Sequence, residues 1–379
     1  MPNISAVSTE HSSRSLVHRR QNVADKPVRP LAAFPDVRRR FEQRRNISQA
    51  AQFRRVHKPC SVSVTVPSAE TSAADSEKPK KATFTDANFP LDPEGRVYHL
   101  GVKRGEVTNR ILSVGDSDRA RRLAGLLDPP VEGGDLFHAE SSRGFNVYTG
   151  RKLGVPITII STGMGIPMMD FVVRETRAIV EGQMAFMRLG TCGLIDATSP
   201  VGTVSVAAKG SVFVRREPDA FSDADVEPYR ISLPIPCDET LSAIAVAELK
   251  EQMGDLSNVI TGLNASADSF YSSQARQGAA FDDRNGGLMD ELLGRYPGLT
   301  TLEMETFHLY DLARVSHGSV IASAAAIGLA QRKSNDFIDA SRIAELEERA
   351  GEALLRTLVK CELENDDDGG CTDSSIRVW

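Results

Sequence analysis

The chain has 379 residues, 41% of them hydrophobic and 25% charged, with a formal net charge of -6, so it can bury one large core or two ordinary ones. Its first 68 residues hold 13 Lys/Arg against 4 Asp/Glu, which leaves the remainder acidic and argues against nucleic acid as a main partner, since a phosphate backbone demands a positive face. No run of about 18 apolar residues is present to span a membrane, and five cysteines without a CxxC pair or a histidine at ligand spacing support neither a disulfide framework nor a metal site. The expected setting is the reduced cytoplasm.

The N-terminal arm, with "RRRFEQRRNISQAAQFRR" from Arg38 to Arg55, fits either an organelle transit peptide or a disordered extension. The first twenty residues show no clear apolar helix face, which favours the extension, and the scarcity of aromatic residues argues against an RNA-binding arm. A Ser/Ala/Lys/Pro-rich stretch over 67–88 reads as linker. Three regions are therefore expected: a disordered basic extension and linker over 1–88, a folded domain over 89–361, and a disordered acidic tail over 362–379.

Within the domain, β-type runs fall at Arg110–Gly115, Phe145–Arg151, Pro156–Thr162, Ala185–Thr191, Thr203–Ala208 and Ser319–Gly328. Helical periodicity covers Asp118–Leu127, Pro167–Glu181, Asp238–Met253 and Ile343–Leu363. Strands alternating with helices predict an α/β domain with a largely buried central sheet.

Chemistry concentrates in a few short stretches. In "SVGDSDR", Ser113 to Arg119, a strand ends at Gly115 and a helix opens near Arg119, so backbone N–H groups and a guanidinium can converge on one small anion; a surface arginine at a helix start is the commonplace alternative. "STGMGIP", Ser161 to Pro167, lacks the third glycine of a dinucleotide fingerprint and reads as a tight strand-to-helix turn. "MRLGTCG", Met187 to Gly193, puts Arg188 inside an apolar strand, where a cation must find a carboxylate or bind an anion. Thr191 adds a hydroxyl at the end of that strand, where α/β sheets hold ligands.

"SADSFYSSQAR", Ser266 to Arg276, offers a ring at Phe270, a carboxamide at Gln274 and a guanidinium at Arg276, a set suited to a flat polar ligand. In "TLEMETF", Thr301 to Phe307, the two glutamates of an extended segment would share one face, and one of them can accept both hydroxyls of a vicinal diol. Their adjacency argues against glycoside hydrolysis across a bond.

Taken in order, "VYHLGV" (Val97 to Val102), "VGDSDR", "ISTGMGIP", "RLGTCG", "SADSFYSSQAR" and "LEMET" resemble the nucleoside phosphorylases of the uridine phosphorylase type, over roughly Val97 to Lys360. The resemblance implies a three-layer α/β/α nucleoside phosphorylase fold with a mixed central sheet, and dimers or rings of dimers. It implies that Gly115, Arg119, Arg188 and Thr191 hold inorganic phosphate, that Arg143 reaches the phosphate of a neighbouring subunit, and that His99 reaches across the same interface to the ribose. Met304 and Glu305 would hold the ribose; Phe270, Gln274, Arg276 and Gly193 the uracil; Arg332 would belong to a lid over 328–337. The implied reaction is reversible phosphorolysis of uridine to uracil and ribose 1-phosphate in pyrimidine salvage, with phosphate as co-substrate and no metal or organic cofactor.

This chain departs from the family pattern at Ser117, where proline is common, at Cys192, where a second threonine is usual, and at Ser272-Ser273, where a Pro-Gly step is usual. A hydrolytic nucleosidase of the same superfamily would not need Arg119, Arg143 and Arg188 together, and Gln274 with Arg276 disfavours a purine nucleoside phosphorylase. A catalytically silent nucleoside-binding relative is the non-enzymatic alternative.

Overall fold

The first strand, β1 (Arg110–Val114), is buried along its whole length, and its alternate residues serve two different cores. Leu112 and Val114 face one helical layer while Ile111 faces the other, as the two-residue period of a strand requires. The same split runs through β5 (Met184–Leu194): Ala185, Met187 and Leu189 join the first core, Met184 and Phe186 the second. A near-continuous apolar run is what a sheet covered on both faces needs.

The computed structural model describes residues 83–130, 134–366 and 368–379. Most of the expected basic extension, the linker before Thr83 and Cys60 lie outside the described residues. The described residues belong to one compact unit, and within it Phe84 meets Tyr98 edge-on at 4.7 Å between ring centroids.

After β1 come helix α1 (Ser117–Ala124), strands β2 (Phe137–Glu140), β3 (Asn146–Lys152) and β4 (Val155–Ser161), helix α2 (Ile166–Ile179), then β5, β6 (Val204–Val206), β7 (Ser211–Arg216) and β8 (Tyr229–Ile231). Helix α3 (Glu239–Met253), strands β9 (Val259–Thr261) and β10 (Leu263–Ala267), helix α4 (Leu288–Arg295), strand β11 (Leu299–Glu303) and helix α5 (Thr306–Val315) follow, and then β12 (Val320–Gln331), β13 (Asp336–Phe337) and α6 (Ala340–Lys360). Strand order is β2-β3-β4-β1-β5-β11-β10-β7-β8, with β12 pairing β5, β6 and β13, and β6 pairing β9. The β4–β1–β5–β12 neighbours are parallel and β11–β5 is antiparallel, so the sheet is mixed.

Helices α1, α3 and α6 pack on one face through Leu123, Leu241, Leu249, Leu346 and Leu354. Helices α2 and α5 cover the other through Met169, Val172, Leu309 and Tyr310. This is the three-layer α/β/α arrangement expected from the motifs. Each strand run and each helical pattern read from the sequence corresponds to an element, whereas the short pairings β7–β8, β10–β11 and β12–β13 carry no comparable sequence period.

The tail is a correction. Its acidic, Gly-containing composition predicted disorder, yet the described residues of 362–379 pack against the body. The Asp366 carboxylate takes hydrogen bonds from Arg110 Nη1 at 2.9 Å and Nη2 at 2.7 Å and from Asn109 Nδ2 at 2.8 Å. Cys371 is fully buried, Glu181 accepts from the backbone and hydroxyl of Thr372, and Val378 N–H donates to Gly105 O at 3.0 Å. The physical reason is Arg110: a guanidinium at the buried foot of β1 requires a counter-charge, and the tail supplies it.

Candidate active site

Parallel pairing of β1 with β5 sets Ser113 beside Arg188 and Val114 beside Leu189, so the loop after β1 and the end of β5 open at one place. There α1 begins, capped by Asp116, whose side chain accepts from Arg119 N–H at 2.8 Å. The Arg119 side chain is buried against Glu347 at 2.7 Å and Asp116 at 3.2 Å, with Nη1 donating to Leu189 O at 3.4 Å. A Cβ on Gly115 would lie 3.6 Å from Arg119 Nη1, and one on Gly190 only 3.0 Å from Arg188 Nη2. Each guanidinium thus lies close to a glycine, Arg119 to Gly115 after β1 and Arg188 to Gly190 near the end of β5.

Arg188 shares the β5 face of Met184 and Phe186, toward α2 and α5, and its side chain is 4% exposed. Glu305 caps α5 and is hydrogen-bonded and ion-paired to Arg188 Nη2, while Glu303 Oε2 is 3.5 Å from Arg188 Nε. The second ligand of Glu305 is the N–H of Gly165, a residue whose φ of 94° suits glycine. The "STGMGIP" turn is thus the tight strand-to-helix connection the sequence predicted, and it delivers a backbone donor to the carboxylate.

The two glutamates meet for a reason other than the expected one. Glu303 ends β11 and Glu305 stands at the start of α5, so a strand-to-helix turn, not strand alternation, brings them to Arg188. Their roles differ. Glu303 accepts from Asn264 Nδ2 at 2.8 Å, from Ser266 Oγ, and from the N–H groups of Glu305 and Thr306 at 3.0 Å. Burial pushes its pKa up, but Arg188 and these donors outweigh burial and hold it below the ordinary value. For Glu305 burial wins: with Arg188 offsetting only part and Glu303 adding repulsion, its pKa is raised.

A cavity of about 200 Å³ adjoins this cluster, lined among others by Thr191, Cys192, Gly193, Phe270, Gln274, Arg276, Glu303 and Met304. A larger cleft of about 580 Å³ follows the loop Arg276–Gly286, but it gathers none of the buried charged groups. Gln274 is 2% exposed. The Arg276 guanidinium lies 3.9 Å above the Phe270 ring centroid, and its Nε donates to Phe270 O at 3.1 Å. Arg332 Nη2 donates to Gln274 O at 2.9 Å, and its stem crosses Gly193 so closely that a Cβ there would meet Cγ at 3.1 Å. Burial lowers the pKa of both arginines, and the charge of Arg276 lowers Arg332 further, as two cations brought together should.

The structure thus sets Arg119 beside Gly115 and pairs Arg188 with Glu305; the cavity next to Glu303 gathers Thr191, Gly193, Met304, Phe270, Gln274 and Arg276, with Arg332 packed on Gly193 and Gln274. It does not bring His99 or Arg143 to this cavity. Both stand on a separate patch around Tyr98, where Arg143 Nη2 donates to Tyr98 OH at 2.6 Å and His99 stacks on Phe171 with Nδ1 2.5 Å from Glu175. Met164, Leu302, Leu329, Ala330 and Phe337 complete the lining; the last three fall in the lid expected over 328–337, whereas Met164 and Leu302 were not singled out from the sequence. Phe337 arrives because 328–337 is a hairpin, with Ala330 opposite Phe337; no period in so short a strand announces it. Cys192 lines the cavity yet is buried, and desolvation together with the Glu303 charge drives its thiol far up in pKa, away from nucleophilic use.

Six buried side-chain N/O atoms among the described residues lack a hydrogen-bond partner, and three of them are Arg119 Nε, Arg188 Nη1 and Arg332 Nη1. Leaving a buried donor unpaired costs roughly 1–3 kcal/mol, and more when it is charged. Each of these three guanidiniums keeps an N–H free to donate to an acceptor oxygen.

A model of the phosphorylase superfamily matches residues 109–360. The uridine phosphorylase of Thermococcus kodakarensis is 31% identical over 264 residues, 67% of this chain and 84% of that protein. A structure from a catalytic study of two uridine phosphorylases in the oomycete Phytophthora capsici is 44% identical, with a TM-score of 0.71 over 74% of this chain and all of the other. A Trypanosoma brucei nucleoside phosphorylase, reported to show uridine phosphorylase activity, has a TM-score of 0.60 at 21% identity over 72% of this chain and all of the other, a likeness of fold.

Proposed function

The chain belongs to the phosphorylase superfamily, and from that premise we propose that it is a uridine phosphorylase, catalysing reversible phosphorolysis of uridine to uracil and ribose 1-phosphate. The observation that carries this reading is the trio of unpartnered buried donors on Arg119, Arg188 and Arg332, each packed against a glycine, Gly115, Gly190 and Gly193 in turn. Phosphate is a tetrahedral anion with four acceptor oxygens, and two converging guanidiniums with the Gly115 turn and Thr191 suit it.

In the forward reaction a phosphate oxygen attacks C1′ of the ribose as the bond from C1′ to uracil N1 breaks, and the electron pair of that bond passes to the base. Arg119, Arg188 and Thr191 orient the nucleophile, and its negative charge supports the cationic sugar. Met304 packs on the ribose, while Glu305 accepts from the 2′- and 3′-hydroxyls. Phe270 stacks on the uracil, Gln274 pairs with its imide edge, and Arg276 and Arg332 stabilise charge arriving on the carbonyl oxygens, with Gly193 giving Arg332 room. Because phosphate is itself the nucleophile, this chemistry calls for no metal or organic cofactor.

The reading includes a homo-oligomer in which Arg143 and His99 of one copy complete the site of the next; their shared patch around Tyr98 supports that part. It also includes a cytoplasmic role in pyrimidine salvage. Ultraviolet-monitored release of uracil from uridine, with and without phosphate and with inosine as control, tests the whole. Phosphate-dependent release from uridine is expected. Release without phosphate, or cleavage of inosine alone, would overturn it.

A further inference from the structure

We propose that Asn146 is a positioning residue for the phosphate loop, acting through Ser117 and Ser161; the proposal rests on the phosphorolysis reading. Asn146 opens β3 and is 7% exposed. Its backbone N–H donates to Ser161 Oγ at 2.8 Å, its Nδ2 donates to Ser117 Oγ at 3.0 Å, and its Oδ1 lies 2.8 Å from His138 Nε2. With the amide nitrogen spent on Ser117, the oxygen must accept, so His138 carries its proton on Nε2. The histidine ring is fixed in turn by parallel stacking on Tyr148, centroids 4.3 Å apart.

Residues from β2, β3 and β4 therefore converge on the first residue of α1. Ser117 lies midway between Gly115 and Arg119, the two ends of the loop assigned to phosphate. It is exposed, so packing alone does not hold it. Proline at such a position would stiffen the turn through its ring; here a hydrogen bond from β3 does so from outside the loop. One lone pair of the Ser117 hydroxyl is occupied by Asn146, and its proton has only a long 3.5 Å contact with Ser161 Oγ.

Ser161 in turn directly precedes the Thr162–Gly165 turn, whose last N–H holds Glu305. One buried residue thus ties together the turns after β1 and β4, through its side-chain amide to Ser117 and its main-chain N–H to Ser161. The chain of contacts is polar and directional, so its loss should show in phosphate use rather than in nucleoside binding.

The experiment compares the full-length protein with Asn146→Ala, Ser117→Ala and the double variant, using initial rates of uracil release varied separately in phosphate and in uridine. Each single variant should raise the phosphate KM about five- to tenfold, the effect of one net hydrogen bond. The kcat and the uridine KM should stay within twofold. The double variant should be no worse than either single, because both cut the same link. Ser117→Ala replaces an exposed helix residue by a good helix former, so it decides the matter even where Asn146→Ala folds poorly. An unchanged phosphate KM in Ser117→Ala, an equal rise in both KM values, or a multiplicative double variant would overturn the proposal. A phosphate-dependent parent with unaffected variants defeats Asn146 alone, whereas a parent that releases uracil without phosphate defeats the phosphorolysis reading and this inference with it.

Discussion

Replacing Arg188 by glutamine separates the structural from the catalytic role of the buried ion cluster. The guanidinium is 4% exposed and faces Glu305 and Glu303, themselves 5% and 2% exposed. Removing one partner of a buried pair costs about 3–5 kcal/mol, and because the glutamine amide can still donate one hydrogen bond, the lower end applies. For a folded unit of roughly 300 residues the unfolding entropy is about 0.6 kcal/mol/K, so a loss of about 3 kcal/mol lowers Tm by about 5 °C. Phosphorolysis should fall by about 10²- to 10³-fold, as when a charge-stabilising donor is removed.

Adding Glu305→Gln to Arg188→Gln removes the stranded carboxylate and should restore most of the lost Tm while restoring no rate. The sign with pH follows from Glu305, whose folded pKa is already raised and rises further without Arg188. Its ionised form is the penalised one, so the Tm deficit of Arg188→Gln should shrink as pH falls from 7 toward 5. Scanning fluorimetry at fixed protein concentration, alongside uracil release, measures both properties. A single variant melting within 1 °C of the parent, or a double variant melting no higher than the single, would refute the reasoning.

Two other outcomes are expected. Asp366→Asn leaves Arg110 buried without its counter-charge; because the aspartate is one-third exposed, the cost is discounted to about 2 kcal/mol, a Tm about 3 °C lower, with uracil release at 25 °C unchanged. Burial raises the pKa of Asp366, but hydrogen bonds from Arg110 and Asn109 outweigh it and leave the value lowered, so its contribution is present above the ordinary carboxylate range and is lost as pH falls through the lowered folded value; scanning fluorimetry from pH 7 to 3 should show the gap between parent and variant closing. Phe337→Ala takes an aromatic ring from the cavity wall and should raise the uridine KM by roughly tenfold while leaving the phosphate KM unchanged, as separate titrations of the two substrates would register.

Much of this site could be read in the chain itself. Gly115, Arg119, Arg188 and Thr191 stood out because a glycine at a strand end and a cation in an apolar run are each costly unless they serve something, and Gln274 with Arg276 because the resemblance assigns them to the base. The sequence did not disclose that Arg188 answers two glutamates through a turn into α5, since that convergence depends on how β5 and β11 lie side by side. Phe337 was legible only as one end of the expected lid over 328–337: a two-residue strand has no period, and pairing with the end of β12 carries it to the cavity. The tail misled because its composition was judged in isolation; Asp366 has meaning only beside Arg110, which stands at the other end of the folded domain's sequence.

That distance imposes an order on biosynthesis. Strand β1 is made before the rest of the sheet, yet the charge at its foot is neutralised by Asp366, more than 250 residues later, and Gly105 is engaged by Val378. The foot of β1 therefore cannot reach its final hydrogen bonding until Asp366 and Val378 have been synthesised. A nascent chain that has not yet reached Asp366 therefore carries an uncompensated Arg110 at the foot of β1.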